Sequence, residues 1–235
     1  MLSFIKIVCN MSFILQAVAV ADTTAISASD SGFNVFDVIM KGGMVMWPLL
    51  ILSVISIYYI VERYLYIKKM SKIDSNLVKS VLDKVYHGQM DSASLLCEQN
   101  NTSLGNVLKA GVDTLGKPIE QVKEALTVQS NIELSAMESS MGYISIISGI
   151  APRLGFVGTI IGVIVIFYSI GQTADISIST ISNGLYQKMI TSGTGLVVGM
   201  VAFLGYNYLL TMVDKFSLYL QKEVLEFIKG INRPV

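Results

Sequence analysis

Thr159, Thr191, Ser192 and Thr194 stand inside stretches that are otherwise long and apolar enough to cross a bilayer. Those stretches run Met44–Val61, Gly142–Ile170 and Ile176–Val213, and none holds an Asp or Glu between its ends. A hydroxyl donates one hydrogen bond and accepts two, so it can relay a chain of water. It does not titrate near neutral pH. Walls of this kind can shape a route for an ion, but a carboxylate that binds and releases a proton has to come from another chain. Gln187 and Lys188 share the third stretch and Arg153 interrupts the second. Such groups are costly in lipid unless they reach water, a partner or the interface.

Spacing groups these residues. Lys188, Ser192, Gly195 and Gly199 recur at i, i+4, i+7 and i+11, one face of a helix, with Gln187, Thr191 and Thr194 beside it. Gly155, Gly158 and Gly162 recur in the second stretch. Gly158–Gly162 and Gly195–Gly199 are small-x-x-x-small pairs, which let helix backbones approach closely in lipid. Two readings follow. The hydroxyls could bond the carbonyls one turn back and serve packing alone, or they could line a path. The cost of Lys188 and Gln187, and a polar stripe about three turns long, favour the path.

The elements that must hold these residues are membrane helices. The chain is 52% hydrophobic and 14% charged, where soluble domains carry about 25% charged residues. Formal net charge is zero, which gives no sign of nucleic-acid binding. Nine of the 17 Lys and Arg lie between Arg63 and Lys123, and four more sit at Lys215, Lys222, Lys229 and Arg233. By the positive-inside rule this puts residues 63–140 and the C-terminus in the cytoplasm. The cluster Arg63, Lys68, Lys69 and Lys72 beside the first span carries most weight.

The expected layout is all-α. Residues 1–21 read as a signal peptide, with A-x-A cleavage sites at Ala17–Ala21. Residues 22–43 form an external arm with an interfacial helix (Phe33, Phe36, Ile39, Met40). Spans at 44–61, 142–170 and 180–213 follow, separated by a cytoplasmic domain at 62–141 and a short external loop at 171–179. A cytoplasmic helix at 214–235 closes the chain. Cys9 and Cys97 fall on opposite sides of the membrane and cannot pair.

Within the cytoplasmic domain, Leu77, Val78, Val81, Leu82 and Val85 mark one helix, ended by His87-Gly88. Asp91 is placed to cap the next. Leu104, Val107, Leu108 and Val112 mark a third. From Pro118 the apolar pattern Ile119, Val122, Ala125, Leu126, Val128 runs on toward Met137 and Met141 and into the second span, so a rod of about 80 Å is expected. His87, the only histidine, has no companions at metal-ligand spacing. No metal site, cofactor or enzymatic constellation is read, and three spans without a broken-helix pair are too few for a secondary transporter.

Two long motifs resemble a known family. Ala151-Pro152-Arg153-Leu154-Gly155-Phe156-Val157-Gly158-Thr159-Ile160-Ile161-Gly162 is similar to the A-P-x-L-G-L-x-G-T-V-x-G signature of the MotA/TolQ/ExbB proton-channel family. Gly184–Asn207 resembles its second signature, a run ending in Y-N, and Gly42–Arg63 looks like its first span. ExbB is the nearest branch in size and layout. The resemblance implies a homo-oligomeric ring, commonly a pentamer, around the single spans of two ExbD/TolR-like subunits that each supply a transmembrane Asp.

It also implies a multi-pass protein of the bacterial inner membrane, with a periplasmic N-terminus and cytoplasmic C-terminus. Its work would be to couple the proton motive force, through a TonB-like protein, to outer-membrane transport. A TolQ-like or gliding-type motor and a passive scaffold without ion flux are the alternatives. Thr159 and Ser192 stand at the family's threonine positions, and the ion pathway is read as Thr159, Thr191, Ser192, Gln187 and Thr194. Gln187 replaces a Glu found in several relatives. Arg153 and Lys188 are read as charges at the inner mouth.

Overall fold

The computed structural model describes residues 45–72, 74, 76–173 and 178–232. The expected signal peptide and external arm lie outside them. The elements are α1 (Met46–Met70), α2 (Leu77–Tyr86), α3 (Met90–Asn100), α4 (Ser103–Asp113), α5 (Ile119–Glu138), α6 (Met141–Thr173) and α7 (Ile178–Ile231). No strand occurs among the described residues. Stretches within α1, α5–α6 and α7 are long and apolar enough to cross a membrane. The chain separates into two compact units. One joins the residues up to Leu50 with Ala151–Val198; the other joins Ile51–Ile150 with Gly199–Val235.

The second unit is a helical domain with an apolar core. Leu77, Val78 and Val81 of α2 are buried, as are Ala93 and Cys97 of α3, Leu104, Val107 and Leu108 of α4, and Val122 and Leu126 of α5. The buried faces of α2 and α4 are those the apolar period predicts, while in α5 Val122 and Leu126 are buried and Val128 is exposed. Phe227 of α7 completes the core. It is admitted because residue 111 is Gly: a methyl there would lie 2.7 Å from Leu126 Cδ2 and 2.9 Å from Phe227 Cε1.

Turn chemistry closes the short links. Gly88 takes φ +70° after α2, and Asn101 takes φ 48° at the end of α3, a conformation Asn tolerates better than most residues. Thr102 then caps α4, its Oγ1 accepting from Gly105 N at 3.3 Å.

Three expectations are adjusted. Helix α3 starts at Met90, with Ala93 N bonded to Gln89 O at 3.0 Å. Asp91 therefore lies inside the first turn, where its charge still suits the helix dipole. The tail is not a separate helix, because α7 runs unbroken for 54 residues, about 80 Å. The helix expected from Pro118 is two helices, α5 and α6, separated at Ser139-Ser140. Ser139 keeps helical dihedrals (φ −53°, ψ −39°), so the interruption is local.

Arg63 of α1 occupies that interruption. Its guanidinium donates to Ala136 O (3.2 Å), Ser139 Oγ (2.5 Å) and Ser140 Oγ (2.6 Å), and it stacks 5.1 Å from the Tyr66 ring centroid. Arg63 is 7% exposed. In the sequence it reads as one more cytoplasmic-side charge; in the structure it ties α1 to the α5–α6 junction. Aromatic residues near the end of the first span serve packing as well: Tyr59 stacks on Tyr143 with centroids 5.4 Å apart.

Candidate functional site

In the first unit, α6 and α7 lie antiparallel and very close. A methyl on Gly195 would sit 2.8 Å from Ala151 O and 3.0 Å from Gly155 Cα. One on Gly155 would sit 3.1 Å from Ser192 O. Contacts then step along the pair: Gly158 meets Thr191, Gly162 meets the stem of Lys188, and Gly184 meets Ile166. Backbones can approach so closely only where side chains are missing, which gives the glycine period its physical meaning. The tightest crossing is Gly155–Gly195, one member from each helix. Gly199 is buried and belongs to the other unit.

This contact list fixes which way the hydroxyls face. At about 100° per residue, Gly184, Lys188, Thr191, Gly195 and Val198 define the α7 face turned to α6. Ser192 lies about 80° to one side of it and Thr194 about 80° to the other. On α6, Thr159 lies about 60° from the facing line through Ala151, Gly155, Gly158 and Gly162. In an antiparallel pair that offset falls on the Ser192 side.

The start of α1 covers the opposite side. Leu49 packs with Ala151, Val198 and Leu154, and Val45 meets Gly158; all four of those partners fall at or beyond the facing line toward Thr194. Thr159 and Ser192 therefore share the side that α1 leaves uncovered, and Thr194 does not. Thr191 is 1% exposed, with its methyl toward Gly158, so it packs between the helices. Gln187 belongs to α7, but its side chain is outside the described residues.

The uncovered side is a polar strip in an apolar wall. Phe156, Met189 and Leu196 are exposed around half-buried Thr159 and Ser192. Thr159 Oγ1 donates to Phe156 O at 2.6 Å, and Thr194 Oγ1 to Ile190 O at 2.9 Å. Both back-bonds belong to the packing reading of the sequence. They spend the one hydroxyl proton and leave the lone pairs to accept.

The two cations separate. Arg153 is exposed and points away from α7 by its register. Lys188 sits at the level of Gly162, nine residues further along α6, about 13 Å away. The two therefore do not mark one mouth. The signal that the sequence does not display is the antiparallel register, which pairs Lys188 with Gly162 rather than with Arg153.

Titratable side chains gather in the other unit. Burial, reinforced by Asp113, pushes the Cys97 thiol up to about 11. Glu133, 8% exposed, accepts from Asn106 Nδ2 (2.9 Å) and Gln129 Nε2 (3.3 Å). A hydrogen bond from Lys109 to Glu98 holds the ammonium above its ordinary range. Among the described residues no three His, Cys, Asp or Glu gather as a metal site.

The model of the MotA/TolQ/ExbB proton channel family matches residues 99–222, which hold both helices of this site. The chain belongs to that family. Among relatives, it is 24% identical over 182 residues to an ExbB-like biopolymer transport protein of Synechocystis, covering 76% of this chain and 72% of the relative. It is 23% identical over 180 residues to the biopolymer transport protein exbB1 of Vibrio cholerae, covering 74% and 78%. It is 20% identical over 204 residues to the Tol-Pal system protein TolQ of Haemophilus influenzae, covering 77% and 86%. As a MotA/TolQ/ExbB chain with three apolar helices, it is a multi-pass membrane protein.

Proposed function

We propose that this chain is a wall subunit of an ion-driven motor in the bacterial inner membrane. Copies of it, a pentamer in this reading, surround the single spans of two ExbD/TolR-like subunits. Each of those brings the Asp that carries a proton, and the ring converts proton flow into mechanical work passed to a TonB-like protein. The N-terminus is periplasmic and the C-terminus cytoplasmic.

One observation carries the reading. The spans hold no acid, and Thr159 and Ser192 sit together on the one side of the α6–α7 pair that α1 does not cover. Hydroxyls with open lone pairs suit a protonated carboxyl, whose O–H can donate to them. Each proton moved down about 100 mV yields roughly 2.3 kcal/mol, so work against a folded receptor needs a repeating cycle.

Vesicles containing this chain with and without its acid-bearing partner test the proposal. Proton uptake should appear only with the partner, and a passive scaffold predicts none in either case. The TolQ relative, matched over 86% of its length, favours a Tol-type role as the second reading. Rescue of a strain lacking the Tol motor subunit, without rescue of one lacking ExbB, would choose it.

A further inference from the structure

Hydroxyl chemistry leaves Lys188 unused. Its stem lies across Gly162, where any Cβ would overlap Cγ, Cδ and Cε of the lysine. Gly162 thus serves as a seat that admits the lysine into the helix pair. Lys188 falls one turn before Ser192 on α7, and its register leans to the same uncovered side.

Its depth is also defined. Gly162, where the lysine stem lies, is eight residues from the Ile170 end of the second span and 20 from its Gly142 end, and Lys188 is eight residues inside the third span, which begins at 180. Lys188 therefore lies about 12 Å inside the span from its outer end. The nearest acids along the chain are Asp175 and Asp214, 13 and 26 positions away. Lipid phosphates at the nearer surface lie at least about 12 Å off, beyond the reach of a four-carbon stem.

We propose that Lys188 is the membrane-embedded counter-ion for a carboxylate carried on a helix of another chain. The proposal rests on the wall-subunit reading and adds a division of labour to it. Thr159 only accepts, so its station suits the protonated carboxyl, whose O–H donates to the threonine oxygen. The Lys188 ammonium only donates, so its station suits the carboxylate. As the carboxyl moves from the first to the second, its proton leaves to water; on return it takes one up. Charge complementarity selects the occupant: an anion on a helix, in an apolar wall, inside the span.

The test uses membranes carrying the whole complex and the carboxyl reagent dicyclohexylcarbodiimide, which reacts with the protonated acid. Labelling of the partner is followed against pH. Lys188→Met keeps an unbranched stem on Gly162 and removes the charge. It should move the labelling midpoint upward by about one pH unit or more, the effect of losing an opposite charge within about 4–6 Å. Lys188→Arg should leave the midpoint near its original place, and Gly162→Ala, which displaces the stem, should give a smaller upward shift.

An unmoved midpoint in Lys188→Met, with proton uptake intact in the unaltered complex, overturns the counter-ion role and leaves the wall reading standing. A loss of co-purified anionic lipid in Lys188→Met with an unmoved midpoint assigns the cation to a headgroup and overturns the proposal. Absence of partner-dependent uptake in the unaltered complex sinks the wall reading itself.

Discussion

The two units differ in what surrounds their charged side chains. In the helical domain two buried charged groups are bonded within the chain: Arg63 reaches Ala136 O, Ser139 and Ser140, and Glu133 accepts from Asn106 and Gln129. In the unit that holds the α6–α7 pair, Thr159 and Thr194 turn back to their own helix and keep lone pairs open, as Thr114, Thr127 and Ser130 do in the helical domain. Lys188 has no acid within its span. The first arrangement is finished by one chain, since an unsatisfied buried group costs about 1–3 kcal/mol. The second is chemically incomplete alone, which is what a wall around a partner's carboxylate requires.

The comparison breaks most easily at Ser192. Ser192→Leu should cut partner-dependent proton uptake at least about tenfold, or about 1.4 kcal/mol on the barrier, while Ser192→Thr should be nearly silent. Equal behaviour of the two would mean that the hydroxyl is irrelevant there. Next in size is Arg63→Met, which strips Ala136 O, Ser139 and Ser140 of their donor. It should lower stability by about 2–3 kcal/mol, read as a fall in unfolding temperature in detergent, and act on assembly more than on flux per complex.

Gly111→Val comes third. Added bulk between Leu126 and Phe227 should cost about 1–3 kcal/mol by overpacking, seen as increased proteolysis of the helical domain with the spans unaffected.

Cys97 gives the smallest effect. Its folded-state pKa is raised to about 11 from an ordinary 9.0, so the fold favours the thiol form. The stability linked to it is whole below about pH 9 and declines as pH rises toward 11. Alkylation at pH 8 should be slow in the folded protein and fast after denaturation; rapid labelling of the native chain would show that the core is open there.

Local signals in the amino-acid sequence carry much of the fold. The three spans, the helices after Lys72 and the stop at His87-Gly88 follow from apolar period and turn residues. Thr159 and Ser192 are legible from their setting among glycines. What the sequence hides depends on partners distant along the chain. Arg63 reads as a solvated cation because nothing near it shows that Ser139 and Ser140 await it. Thr191, Ser192 and Thr194 read as equivalent because neighbours in one stripe differ only once the facing helix and α1 are placed: the first is buried, the second lies on the uncovered side, the third on the α1 side. Lys188 and Arg153 read as a pair until the antiparallel register sets them on different levels.

Proton uptake by vesicles that carry the partnered complex, compared between Thr159→Val and Thr194→Val, tests the central claim most directly. Both changes remove one back-bonded hydroxyl and keep the side-chain shape. Loss of uptake in the first with near-normal uptake in the second is the predicted result. Equal loss in both, or full uptake in Thr159→Val, would contradict the assignment of the path to the uncovered side.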